Sequence, residues 1–363
     1  MHFLIGFYYQ AYLNEILMDR RKTKLNTRVL ILFHPRHYIC FPDNDKMKKI
    51  LLLSIALLLT ISVFAQSDAS VESSINLKIP SGNINGTLSM PKNVSGKVPV
   101  IIIVADAGPT DRNGNNEQTG LNGNMYKMLA EGLAKSGVAS LRYDKRMVGA
   151  SKTANKLEEL RFDDYVDDAV GLIGMLNDDQ RFSKVVILGH GEGALAAMLA
   201  ARDQPVKDVI TINTTSEQGD KLMTDLFKTK PQYLQDEFKT LLDSMKKGKT
   251  FDNVDLAMYP LVTTAKQKYL ISYFRLPPLK VIKLVKVPTL IIQGTTDVQV
   301  SVADAEKFKK SKSDATLITI KGMNHIMKEA PADKDANMET YTNPALPIKA
   351  ELVPAIVDFI NKN

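Results

Sequence analysis

Three short segments carry residues whose types and order could do chemistry together. Gly189-His190-Gly191-Glu192-Gly193 follows the apolar run Val185–Leu188 and precedes the small-residue stretch Ala194–Ala197. A strand, a glycine-flanked turn and a helix form the arrangement that lifts a nucleophilic serine above a parallel sheet. Here the central position holds Gly191, so the nucleophile is missing. Thr289–Gln293 is a second apolar run, followed by Gly294 and Asp297. A carboxylate just past a strand end can orient an imidazole and stabilise its protonated form. Gly322-Met323-Asn324-His325 follows a third run, Thr316–Ile320, and His325 is the expected general base, with a near-neutral pKa. Nucleophile position, acid, base is the chain order used by serine-dependent acyl transfer on such sheets.

Each residue alone has a plainer reading. An Asp after a strand is commonly a turn or helix cap, and a lone loop histidine is commonly solvated. Their joint placement at three strand ends carries the weight. His190 is expected to point away from the nucleophile position and to serve in packing and hydrogen bonding. The small residues of Ala105–Asn115 would let backbone N–H groups approach a developing oxyanion, with Glu192 and Ala107 as the two donors. Arg142-Tyr143-Asp144-Lys145-Arg146 reads as a charged structural turn beside the site. No G-x-G-x-x-G follows the first parallel strand, so a dinucleotide site is not expected. A glycine cannot form an acyl-enzyme. The hydroxyls of Thr110, Ser151, Thr295 and Thr296 have no turn to aim them, which leaves weak water attack assisted by Asp297 and His325. Gly191→Ser is expected to restore the missing nucleophile's chemistry and to lower the melting temperature.

The elements that must position these residues are legible further out. Apolar or alternating runs occur at 74–79, 86–89, 98–104, 138–142, 184–188, 208–213, 289–293 and 316–320. Helical periodicity separates them from Val98 onward, at 126–136, 165–176, 194–201, 302–310 and 350–360. The expected fold is α/β: a mostly parallel, eight-stranded sheet flanked by helices, with the first two strands as an antiparallel hairpin. About seventy residues of helical character, 215–286, interrupt the alternation and predict an inserted helical cap.

The N-terminus has a different character. Met47-Lys48-Lys49, the apolar stretch Ile50–Phe64 and Val63-Phe64-Ala65 have the order of a signal peptide over 47–65. The apolar stretch is shorter than the about 20 residues a membrane span needs, so no stable insertion is expected after cleavage and the product is expected to be secreted or periplasmic. Residues 1–46 read as a non-native or dispensable extension ahead of that signal. Residues 1–65 hold nine Lys/Arg and four Asp/Glu, which leaves 38 against 36, about +2, in 66–363. The basic charge thus belongs mostly to the leader and gives no argument for nucleic acid. The only cysteine is Cys40, and only His190 and His325 follow residue 65, so neither a disulfide nor a Cys- or His-built metal site is expected.

Over residues 75–363 the chain resembles the α/β-hydrolase superfamily, in particular its secreted bacterial esterase-like, serine-aminopeptidase-type branch. The resemblance rests on Gly108–Asn115, Arg142–Arg146, Gly189–Gly193, Gln293–Asp297 and Asn324-His325. It implies hydrolysis of carboxylic esters through an acyl-enzyme, without a cofactor, on a small acyl-ester or peptide-like ligand. The chain departs from that pattern at Gly191, at Asp106 where a glycine is expected, and at Met147 where another glycine is expected. These departures point to weak or absent catalysis, or to a non-catalytic ligand-binding protein.

Overall fold

The structure is a computed structural model, and it describes residues 70–363 apart from 93, 203 and 259–261. The extension at 1–46 and the signal segment at 47–65 lie outside the described residues. The strands are β1 (Ser70–Ile79), β2 (Gly82–Pro91), β3 (Val98–Val104), β4 (Asn115–Asn116), β5 (Leu121–Asn122), β6 (Ala139–Tyr143), β7 (Lys152–Thr153), β8 (Phe182–His190), β9 (Asp208–Ile212), β10 (Thr289–Gly294) and β11 (Thr316–Ile320). The α-helices are α1 (Met125–Lys135), α2 (Phe162–Asn177), α3 (Gly193–Ala200), α4 (Gly219–Phe227), α5 (Gln232–Met245), α6 (Gln267–Phe274), α7 (Pro278–Val281), α8 (Val302–Ser311), α9 (Lys334–Glu339) and α10 (Leu352–Lys362).

The main sheet runs β1-β2-β6-β3-β8-β9-β10-β11, with the two-residue β7 on the edge of β2. It is thus nine-stranded, one short strand beyond the expected eight. β1 and β2 form an antiparallel hairpin, β2 pairs antiparallel with β6, and every pairing from β6 to β11 is parallel.

The central strands are apolar on both faces because both faces are covered. On β3 and β8, Val100, Ile102, Val104, Val185 and Ile187 join one core with Phe162, Leu172 and Ile173 of α2 and with α3. Their neighbours Ile101, Ile103, Val186 and Leu188 join a second core with Tyr126, Leu129 and Leu133 of α1 and Leu352, Ile356 and Ile360 of α10. This is the period-2 alternation of a strand between two helical layers. Between β9 and β10 the chain is helical, α4 to α7, and carries a third cluster in which Phe227 and Phe238 stack at 4.0 Å. The loops that follow β3, β8, β10 and β11 all leave the carboxyl edge of the sheet, which brings Asp106, Gly191, Asp297 and His325 together.

Candidate active site

The turn after β8 is tight. A Cβ on Gly189 would lie 2.3 Å from Ala194 Cα, and one on Gly193 would lie 2.3 Å from the Ala105 carbonyl oxygen. Both positions therefore need glycine to let α3 pack against β8 and β3. Gly191 has φ +52, a left-handed conformation that costs other residues about 1–3 kcal/mol and glycine nothing. The turn thus keeps a tight geometry with glycine at its centre.

The base and acid meet as their order in the chain requires. His325 Nδ1–H donates to Asp297 Oδ2 at 2.8 Å. Asp297 also accepts from the N–H groups of Gln299 at 2.7 Å and Val300 at 3.0 Å through Oδ1, so the same carboxylate is both turn cap and imidazole partner. Asn213, at φ +50 after β9, locks the His325 loop. Its Nδ2 donates to the carbonyls of Asn324 and His325, and its Oδ1 accepts from Gly294 N–H.

The residue that the sequence reading left out of the site is its centre. Asp106, at the end of β3, turns its carboxylate into the space above Gly191. Oδ1 accepts from Glu192 N–H at 2.8 Å, and Oδ2 accepts from His325 Nε2–H at 3.0 Å. A Cβ at position 191 would stand 2.0 Å from Asp106 Oδ1 and 2.4 Å from its Cγ. The carboxylate thus occupies the volume a side chain at 191 would need. It also saturates the Glu192 amide expected to serve as an oxyanion donor. Ala107, the other expected donor, lines the adjoining pocket, and its carbonyl accepts from Thr110 Oγ1 at 3.1 Å.

Electrostatics follow from this placement. Burial opposes charge on His325, but the carboxylates of Asp297 and Asp106 outweigh it and raise its pKa to about 10. Burial works against ionised Asp106 as well, yet the His325 hydrogen bond and charge and the Glu192 N–H hold it well below the usual carboxylate range. Both shifts favour the ion pair of an Asp106 carboxylate with a protonated His325. This corrects the expectation that His325 is a near-neutral general base: its Nε2 carries a proton and has no lone pair to offer.

His190 is the reverse case. Burial, followed by the charge of His325, lowers its pKa to about 4, so it is neutral. Its Nε2–H donates to the His325 carbonyl at 2.8 Å, and its Nδ1 accepts from Tyr126 Oη at 2.8 Å. Tyr126 Oη in turn accepts from Asp106 N–H at 2.9 Å. The ring lies 4.8 Å from that of His325. Asp106, His190 and His325 each place one ligand-type atom within 4.8 Å of the others. Both nitrogens of His190 and Nε2 of His325 are committed to these hydrogen bonds, so the set satisfies itself without an ion. Tyr126 left no signal in the sequence beyond a buried position on α1.

None of the four hydroxyls considered as substitutes bonds His325. Thr110 Oγ1 bonds Ala107, Ser151 Oγ bonds the Asp144 carbonyl and accepts from Asn85 N–H, and Thr295 Oγ1 accepts from Gly322 N–H. Thr296 Oγ1 is buried without a hydrogen-bond partner among the described residues. The charged turn after β6 is structural in its contacts. Asp144 binds Arg112, and Arg146 binds Asp168 through two bonds of 2.8 and 2.9 Å. Met147 sits in this turn at φ +66, where a glycine would be unstrained. Beneath the site, Lys145 Nζ donates to the Asp106 carbonyl at 2.9 Å and lies 3.9 Å from the Glu192 carboxylate.

A mixed, mostly parallel sheet with helices on both faces and a glycine-flanked turn at its carboxyl edge defines the α/β-hydrolase fold. Among solved structures, Est1E from Butyrivibrio proteoclasticus matches with a TM-score of 0.50 at 20% identity, covering 79% of this chain and 99% of that one. The same protein with ferulic acid bound matches with a TM-score of 0.51 at 18% identity, over 79% of this chain and 99% of that one. A family model described as serine aminopeptidase, S33, matches residues 119–255. Esterase EstD of Thermotoga maritima is 26% identical over 253 residues, which cover 67% of this chain and 57% of that protein. The chain therefore spans little more than half the length of this curated relative. Its fold is that of the α/β-hydrolases, and over these segments it is similar to esterase-like and serine aminopeptidase-like proteins.

Proposed function

We propose that this protein has lost serine-dependent acyl transfer and serves as a small-molecule-binding member of the esterase-like branch. The observation that carries the reading is the Asp106 carboxylate, which spans Glu192 N–H and His325 Nε2–H over Gly191. It stands where an attacking oxygen and its developing oxyanion would both have to be. A permanent anion there repels a second one and keeps the base protonated. The adjoining pocket has a cavity volume of about 40 Å³, room for a few waters or a small head group.

The test is hydrolysis of p-nitrophenyl acetate and butyrate. The unaltered protein and Gly191→Ser are expected to be inactive, whereas Asp106→Gly with Gly191→Ser is expected to gain at least about 10³-fold. Turnover by the unaltered protein that disappears in His325→Ala would overturn the reading and indicate water-based hydrolysis. We further propose, from the basic start and apolar stretch of residues 47–65, that the protein acts outside the cytoplasm. N-terminal sequencing of the exported form is expected to begin at Gln66; a start at Met1 or Met47 would contradict this.

A further inference from the structure

The pocket that opens at Asp106 has apolar walls at Leu121, Met125, Ile326 and Met338, with the polar Asn116 and Tyr341 beside them. Among the described residues, no lysine or arginine lines it. The charged groups at its floor are Asp106 and His325, and Asp297 stands behind the imidazole. Two carboxylates thus face one imidazolium, and the floor keeps an excess of negative charge. His325 has no hydrogen-bond donor left for a ligand, because its two N–H groups go to Asp297 and Asp106. Asp106 accepts one bond at each oxygen, while a carboxylate offers about four lone-pair sites. Lys145 reaches only the backbone carbonyl of Asp106, from the side of Glu192, whose carboxylate it faces at 3.9 Å. An anionic head group entering this pocket meets the Asp106 carboxylate at its floor. A head group with N–H donors and a positive charge meets open acceptors.

Resting on the reading that serine chemistry is lost, we propose that the pocket binds a small primary ammonium ion with a short apolar stem, its N–H groups donated to Asp106. The stem is held by the aliphatic walls. A primary amine is favoured over a quaternary one because the recognition needs N–H donors as well as charge.

The test is a calorimetric titration of the purified protein at neutral pH with four probes of one stem: n-butylammonium, butyltrimethylammonium, 1-butanol and butyrate. Butylammonium is expected to bind roughly tenfold or more tightly than butanol, the scale of one hydrogen bond to a charged group. The quaternary ion is expected to be weaker and butyrate to show no binding. Asp106→Asn is expected to bring butylammonium down to the level of butanol. In the unaltered protein, butylammonium is expected to shift the amide resonances of Ala107 and Glu192, a readout that needs no variant. Butyrate binding as well as butylammonium, an unchanged affinity in Asp106→Asn, or no binding by any probe would overturn the assignment. Ester turnover is assayed on the same preparation. Failure of the non-catalytic reading appears there as hydrolysis, and failure of the ligand assignment appears as an absent preference for the ammonium ion.

Discussion

A serine at position 191 would put its Cβ 2.0 Å from Asp106 Oδ1. The carboxylate could make room only by leaving both Glu192 N–H and His325 Nε2–H. The left-handed φ of +52 adds its own strain to any residue but glycine. Gly191→Ser alone is therefore expected to lower stability by about 3 kcal/mol without restoring hydrolysis, as read by chemical denaturation and ester assay together. The sequence alone leads to the other expectation, that the single change suffices, and the same assay decides between them. The glycine at 191 and the aspartate at 106 fit each other sterically, and on the proposed reading both must change for hydrolysis to appear. The sequence showed Asp106 as a misplaced charge in the oxyanion loop. That its carboxylate reaches over the nucleophile turn depends on β3 and β8 being neighbours, which no local pattern states.

At the level of elements, one side chain from a neighbouring strand end helps to hold the loop carrying His325. Asn213 makes three hydrogen bonds to the His325 loop and β10 from a conformation that asparagine tolerates better than most residues. Asn213→Ala is expected to cost about 2–4 kcal/mol and to broaden or shift the His325 ring resonances; unchanged resonances would show that the loop is held by other contacts. Most elements were legible in the chain. The runs at 98–104, 289–293 and 316–320 end within a residue of β3, β10 and β11, because buried parallel strands are continuous apolar stretches. The break at 215–286 corresponds to α4–α7, of which α4, α5 and α6 form their own apolar cluster. The hairpin of β4 and β5 and the edge strand β7 were not legible, since two-residue pairings have no period to detect. Asp297 and His325 could be named from order alone. Their protonation could not, because it depends on Asp106, remote in sequence.

For the whole molecule, the buried Asp106–His325 pair ties stability to pH. His325 has a folded pKa of about 10, above its ordinary 6.5. Its contribution is complete below 6.5 and is lost as pH rises through 10. Asp106 is held below its ordinary 3.8, so its contribution is present above that value and fades as pH falls below it. The melting temperature is expected to decline from pH 7 to pH 10 in the unaltered protein, and less steeply in His325→Gln; parallel curves would contradict this. Asp208, at the start of β9, is fully buried with neither carboxylate oxygen hydrogen-bonded among the described residues. Burial raises its pKa to about 6. Asp208→Asn is expected to raise the melting temperature by about 2 °C or more at pH 7.5, with a smaller gain at pH 5, where the native carboxyl is already protonated. An equal gain at both values would show that its charge is not the cause.

The central claim is that Asp106 has taken the serine's place and keeps His325 charged. Its most direct test is a ¹⁵N and ¹³C pH titration of the His325 ring by NMR. The account predicts both ring nitrogens protonated at pH 7, loss of the proton only near pH 10, and a fall toward the ordinary histidine range in Asp106→Gly. A His325 that is neutral at pH 7 in the unaltered protein, or one whose titration ignores Asp106→Gly, would contradict it.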